Sequence, residues 1–131
     1  MLSKSNTKYI QSLHHKKYRD EGNTFIAEGS KVVLELLQGG HFACIEIFAM
    51  EAWLHLQEQL IRKYFSGPLQ VVTDFELEKI SLLTTPNQVL AVFSKQAPAT
   101  YSPLAKITLA LDQVQDPGNL GTIIRIATGL E

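Results

Sequence analysis

Between Thr24 and Ser94, short runs rich in β-branched and aromatic residues alternate with longer runs whose apolar residues recur every three or four positions. Glycine, proline and asparagine mark the joints, and this rhythm constrains the fold more than any other feature. Thr24-Phe25-Ile26-Ala27-Glu28 predicts a strand closed by Gly29. Ser30 is placed to cap a helix through Lys31–Leu37, which Gly39-Gly40 stops. Ala43–Met50 predicts a second strand, and Trp53, Leu56, Leu60 and Tyr64 predict a helix ended by Ser66-Gly67-Pro68. Leu69–Thr73 comes next as a strand, and Thr73-Asp74-Phe75-Glu76 has capping-box spacing for a helix through Ile80. Val89–Ser94 is the last strand of the series. Upstream, residues 6–13 predict a short helix that Ser5 or Asn6 can cap, and KKYRDEGN ends in a Gly-Asn turn. Alternation of this kind predicts right-handed crossovers, hence a small three-layer α/β domain with a mostly parallel sheet over residues 1–95.

The rhythm breaks at residues 96–106, within KQAPATYSPLAK, where two prolines and no periodicity predict a linker. Beyond it Ile107–Leu111 predicts a fresh strand and Leu120–Ala127 a fresh helix. One strand and one helix cannot bury their own apolar faces, so residues 107–131 are expected to open a second domain.

Composition narrows the function. The 131 residues are 45% hydrophobic and 19% charged, as in ordinary globular chains. No apolar run approaches the ~20 residues of a bilayer span, and the N-terminus lacks the apolar core of a signal peptide. Cys44 stands alone, which excludes a disulfide framework and a cysteine-rich zinc site and favours a cytoplasmic location. Within FACIEIFAM it reads as a small buried hydrophobe rather than a nucleophile. The net charge of −1 conceals an asymmetry: residues 1–20 hold Lys4, Lys8, Lys16, Lys17 and Arg19 against Asp20 alone, about +4. A basic end on an acidic chain suits an anionic partner, or else a solvated first helix. His14 and His15 have no ligand spacing, and no metal site is expected.

The stretch ALDQVQDPGNLGTIIRIA, residues 110–127, carries the most specific pattern. Its Gly118-x-x-Gly121 spacing is neither the dinucleotide fingerprint nor the phosphate loop. Taken alone, it is a strand-to-helix turn with Asn119 able to cap and Arg125 on an exposed helix face. The whole string resembles the first signature motif of the SpoU family of RNA 2′-O-ribose methyltransferases, in the SPOUT superfamily. Asp116, Pro117, Asn119, Gly121, Arg125 and Ala127 match D-P-x-N-x-G-x-x-x-R-x-A. SNTKYIQSLHHKKYRDEGNTFIAEGSKVVLELL is similar to that family's substrate-binding domain, and TTPNQVLAVF to its final strand. Asn87-Gln88 departs from a Gln-Gly pair common in relatives.

The resemblance implies methyl transfer from S-adenosylmethionine to a ribose 2′-hydroxyl, with 23S ribosomal RNA as the expected substrate. It gives Asn119 and Arg125 as catalytic residues. A guanidinium stays protonated, so Arg125 is expected to orient the hydroxyl, clamp phosphate and relay the proton rather than act as a free base. Asn6, Lys8, Lys16, Lys17, Arg19, Glu28 and Lys31 are the RNA-binding candidates, with Tyr9 or Tyr18 available for base stacking or else partly buried. In the family the methyl donor sits in a C-terminal trefoil knot built from later motifs that these residues lack. The chain is therefore expected to be an inactive N-terminal fragment that binds no S-adenosylmethionine, its final Leu130-Glu131 a remnant of a vector junction. The full-length enzyme is expected to dimerise through the knot and the fragment to be monomeric. The competing readings are a stand-alone RNA-binding module like some ribosomal proteins, and a nucleotide-dependent doubly wound enzyme that the glycine spacing disfavours.

Overall fold

The computed structural model describes residues 1–97 and 107–129, in two units, Met1–Pro98 and Ala99–Glu131. The first unit begins with α1 (Lys4–Ser12), whose N-cap is Ser3 rather than Ser5 or Asn6. Ser3 has extended backbone, and its hydroxyl accepts the Asn6 N–H at 3.0 Å. KKYRDEG forms a helix of its own, α2 (Lys16–Gly22), which Asn23 ends in the left-handed region at φ 53°. β1 (Thr24–Glu28) leads through Gly29, at φ 95°, into α3 (Ser30–Gly39). A side chain other than glycine would be strained at Gly29. Ser30 does not cap α3; its hydroxyl accepts the Trp53 indole N–H at 2.9 Å.

The remaining elements of this unit are β2 (Cys44–Ala49), α4 (Glu51–Tyr64), β3 (Leu69–Val71), α5 (Asp74–Ile80) and β4 (Val89–Ser94). The capping box of α5 is complete: Thr73 accepts the Glu76 N–H, and Glu76 accepts the Thr73 N–H. The strand order is β1-β4-β2-β3. β4 runs antiparallel to both β1 and β2, and only β2 and β3 pair in parallel. The sheet is therefore mixed, not mostly parallel. β1, β2 and β3 do share one direction, as the crossovers require. The exception comes from α5, which starts directly after β3 and ends beside Glu28, the last residue of β1, where Glu28 accepts the Ser81 hydroxyl. It has crossed the sheet end instead of returning along it, so the chain enters β4 from the end at which β1–β3 leave, and β4 must run backwards.

Helices cover both faces, giving the three layers expected. Val89, Ala91 and Phe93 of β4 pack with Val33, Leu37, Trp53 and Ile61 of α3 and α4. Leu90 and Val92 face Ile10 and Leu13 of the α1 segment and Leu77 and Ile80 of α5. Burial on both faces explains the unbroken apolar run of β4. On α4 the buried residues are Trp53 and Ile61, whereas Leu56, one of the expected stripe, is 78% exposed. Gln88, just before β4, sits at φ 48°, in the left-handed region that glycine adopts most readily.

In the second unit α6 spans Pro117–Thr128. Ile107, Leu109 and Leu111 are exposed and lie in no strand, contrary to the sequence expectation. Strand structure needs a neighbouring backbone to bond to, and apolar alternation alone does not supply one. The expected linker lies outside the described residues from position 98 on, as does Leu130-Glu131.

Candidate nucleic-acid interface

The cations expected to meet RNA are not equivalent. Lys8 on α1, Lys16 and Lys17 on α2, and Lys31 at the start of α3 are exposed. Lys16 makes only a loose i,i+4 contact with Asp20, 3.8 Å apart and solvent-exposed, which contributes little. Arg19 is half-buried, and its guanidinium donates to the carbonyls of Leu13 at 3.0 Å and His14 at 2.9 Å. Those carbonyls end α1, so Arg19 satisfies a helix C-terminus and fixes the α1–α2 elbow.

Glu28 is likewise occupied. Its carboxylate accepts the Ser81 hydroxyl at 2.5 Å and the Leu82 N–H at 3.0 Å, tying β1 to the segment after α5. Asn6 donates its backbone N–H to Ser3. At the far end of α2, Asp20 is held by Lys95 at 2.5 Å, and that bond keeps its carboxyl below the ordinary carboxylate range, with Lys16 and Arg19 adding to the effect. Burial pushes the Cys44 thiol up to about 12, as suits a packed residue rather than a nucleophile. Sequence reasoning dismissed His15 as a ligand and missed its place beside Tyr18, 6.4 Å between ring centroids. The three-residue spacing was the signal.

The second unit shows how the conspicuous motif folds. Asp116, not Asn119, is the N-cap of α6: its carboxylate accepts the Asn119 N–H at 2.9 Å, and Pro117 occupies the first turn. The Asn119 side chain is therefore not the group that caps α6. Arg125 lies in the last turn and is exposed. Six positions separate the two, about 9 Å along the helix and about 120° around it. Gly121 has nothing within 4 Å of where a Cβ would stand, so no contact in this unit demands a glycine inside the helix. Leu120, Ile124 and Ile126 are exposed apolar residues on the same helix. Every described residue of 107–129 is exposed except the partly covered Ile123 and Ala127.

Among the described residues no acidic, histidine and cysteine cluster could hold a metal ion, and no helix is long and apolar enough to cross a membrane. Grooves of about 320 and 330 Å³ flank α4 and hold none of the candidate residues.

Comparison with known proteins decides the family: residues 4–91 match the MRM3-like substrate-binding domain. The chain belongs to that family. This MRM3-like chain is 32% identical over 119 residues to RlmP, a 23S rRNA guanosine 2′-O-methyltransferase of Bacillus subtilis, covering 89% of this chain and 44% of RlmP. A solved structure of a TrmH-family RNA methyltransferase from Porphyromonas gingivalis, so described provisionally, is 35% identical with a TM-score of 0.71, covering 97% of this chain and 48% of that one. The AdoMet-bound rRNA methyltransferase of Sinorhizobium meliloti is 29% identical with a TM-score of 0.62, covering 97% and 49%. The MRM3-like chain thus spans about half the length of these relatives.

Proposed function

We propose that the chain is the RNA-docking part, with the opening of the catalytic domain, of an S-adenosylmethionine-dependent 2′-O-ribose methyltransferase acting on ribosomal RNA. The observation that carries this is the order of its parts: a substrate-binding domain over residues 4–91, then the matching D-P-x-N-x-G-x-x-x-R-x-A segment on α6. The uncovered apolar face of α6 and the unexplained Gly121 support a further layer against this helix. A finished stand-alone RNA-binding module has no use for such a segment.

In the complete enzyme S-adenosylmethionine supplies the methyl group, and residues outside this chain enclose it. The chain's own contribution is binding and orientation. Lys8, Lys16, Lys17 and Lys31 meet phosphates. Arg125 holds the backbone and orients the 2′-hydroxyl so that its proton passes to a neighbouring phosphate, and Asn119 shapes the ribose site. Arg19 and Glu28 serve through the fold rather than by touching RNA. We place the protein in the cytoplasm, and the chain as a monomer whose full-length form dimerises through the knot.

The test is methyl transfer to ribosomal RNA by the full-length enzyme. Arg125→Ala should lower kcat by roughly 10²–10⁴-fold and raise KM less than replacing Lys16 and Lys17 together does. Undiminished kcat in Arg125→Ala would overturn the assignment. Calorimetry of the 131-residue chain with S-adenosylmethionine should show no binding heat.

A further inference from the structure

α2 is held in place by polar bonds and buries almost nothing. Six of its seven residues are exposed and none is fully buried. A helix this short does not persist on its own propensity. It is pinned at one end by the two Arg19–carbonyl bonds. At the other end the Lys95 N–H donates to Asn23, and the Lys95 ammonium meets Asp20. In its first turn this arrangement presents Lys16, Lys17 and Tyr18 to solvent. Tyr18 is 44% exposed, with the Lys17 ammonium 5.7 Å from its ring centroid and the His15 ring edge-on at 69°. Tyr9 is as exposed, at 42%, but among the described residues no ring or cation lies over it.

We infer that α2 is a stacking platform for an unpaired nucleobase: Tyr18 takes the base, and Lys16 and Lys17 take the phosphates on either side. Arg19 is a positioning residue that holds the platform at its angle to α1. The inference rests on the RNA-binding role proposed above and narrows it to a class of RNA. In a duplex the base faces are already stacked and only backbone and groove are offered, whereas a loop, bulge or single strand can lay a base on an aromatic ring. Of the acidic residues on α2, Asp20 is engaged by Lys95 and Lys16, which leaves Glu21 at the end remote from Lys16.

The experiment uses the 131-residue chain carrying Tyr18→Trp, titrated with a dye-labelled single-stranded RNA of about twelve nucleotides, within the span of one single-strand site, and with the blunt duplex of the same sequence. Binding is followed by anisotropy and stacking by indole emission. Trp53 is 1% exposed and bonded to Ser30, so it gives a constant background. The single strand should quench the added indole and bind more tightly than the duplex. Tyr18→Ala should weaken single-strand binding roughly five- to hundred-fold and leave duplex binding within about two-fold, whereas Tyr18→Phe should keep it. Arg19→Ala should weaken the single strand without changing the salt dependence as a lost phosphate contact would. RNA that binds without quenching the indole, or equal binding of strand and duplex, overturns the platform alone. Failure of the unmodified chain to bind either RNA overturns the platform and the RNA-docking role together.

Discussion

Replacing Glu28 with alanine separates a residue that builds the fold from one that reads RNA. The substitution removes two acceptors at once, the 2.5 Å bond from the Ser81 hydroxyl and the 3.0 Å bond from the Leu82 N–H. A hydrogen bond to a charged group contributes about 1.5–3 kcal/mol when well shielded. Glu28 is only partly buried, and both donors can turn to water once the carboxylate is gone. The two together are therefore worth about 2 kcal/mol, not the full sum. At roughly 1–1.5 kcal/mol per molar urea for a domain of this size, the unfolding midpoint should fall by about 1.5 M. Glu28→Gln, which keeps one carbonyl acceptor, should lose about half as much. RNA affinity measured well below the midpoint should stay within about two-fold. A midpoint unchanged to within about 0.2 M, or a large affinity change in a fully folded variant, would refute the structural role.

Other substitutions probe the core, a strained turn and acid stability. Phe93→Ala empties a fully buried position in the core cluster that β4 shares with α3 and α4. It should cost about 3–5 kcal/mol, leaving a chain partly unfolded by far-ultraviolet circular dichroism; a loss under about 1 kcal/mol would contradict the packing. Gln88→Gly relieves left-handed backbone strain of about 1–2 kcal/mol against a glycine entropy cost of about 0.5–1. The urea midpoint should rise, and a fall would show that the turn is not strained. The carboxyl of Glu76 is held below its ordinary range by the Thr73 N–H, with the Leu2 N–H helping. Its folded pKa lies below the unfolded one, so this stabilisation is present above the unfolded value of about 4.3 and is lost as pH falls. Glu76→Gln should flatten the acid limb of stability against pH; an unchanged limb would refute the link.

Local chemistry made much of the fold legible. The bounds of β1 and β4 follow from composition and turns, and Thr73-Asp74-Phe75-Glu76 announced α5 because a capping box is a contact within four residues. Strand direction was not legible. Whether α5 returns along the sheet or crosses its end depends on where Ser81 docks, a contact 53 residues away in sequence. The apolar stripe of α4 misled for a related reason: Leu56 has helical spacing but faces away from the layer that buries Trp53 and Ile61. At the site, residue types pointed to a basic, aromatic segment. They could not distinguish Lys16 and Lys17, left in solvent, from Arg19, turned onto the end of α1. The α6 motif was readable as a string, whereas its capping by Asp116 depended on which side chain reached the Asn119 N–H.

The salt dependence of RNA binding by this chain tests the central claim most directly. Anisotropy titrations with single-stranded RNA, repeated from about 50 to 200 mM salt, give the slope of log affinity against log salt. Each phosphate contact to a single strand contributes about −0.7 to that slope. Changing Lys8, Lys16 and Lys17 together to glutamine should make the slope shallower by up to about 2 and weaken binding at low salt at least ten-fold. Unchanged slope and affinity in a folded triple variant would contradict the claim that this face docks RNA.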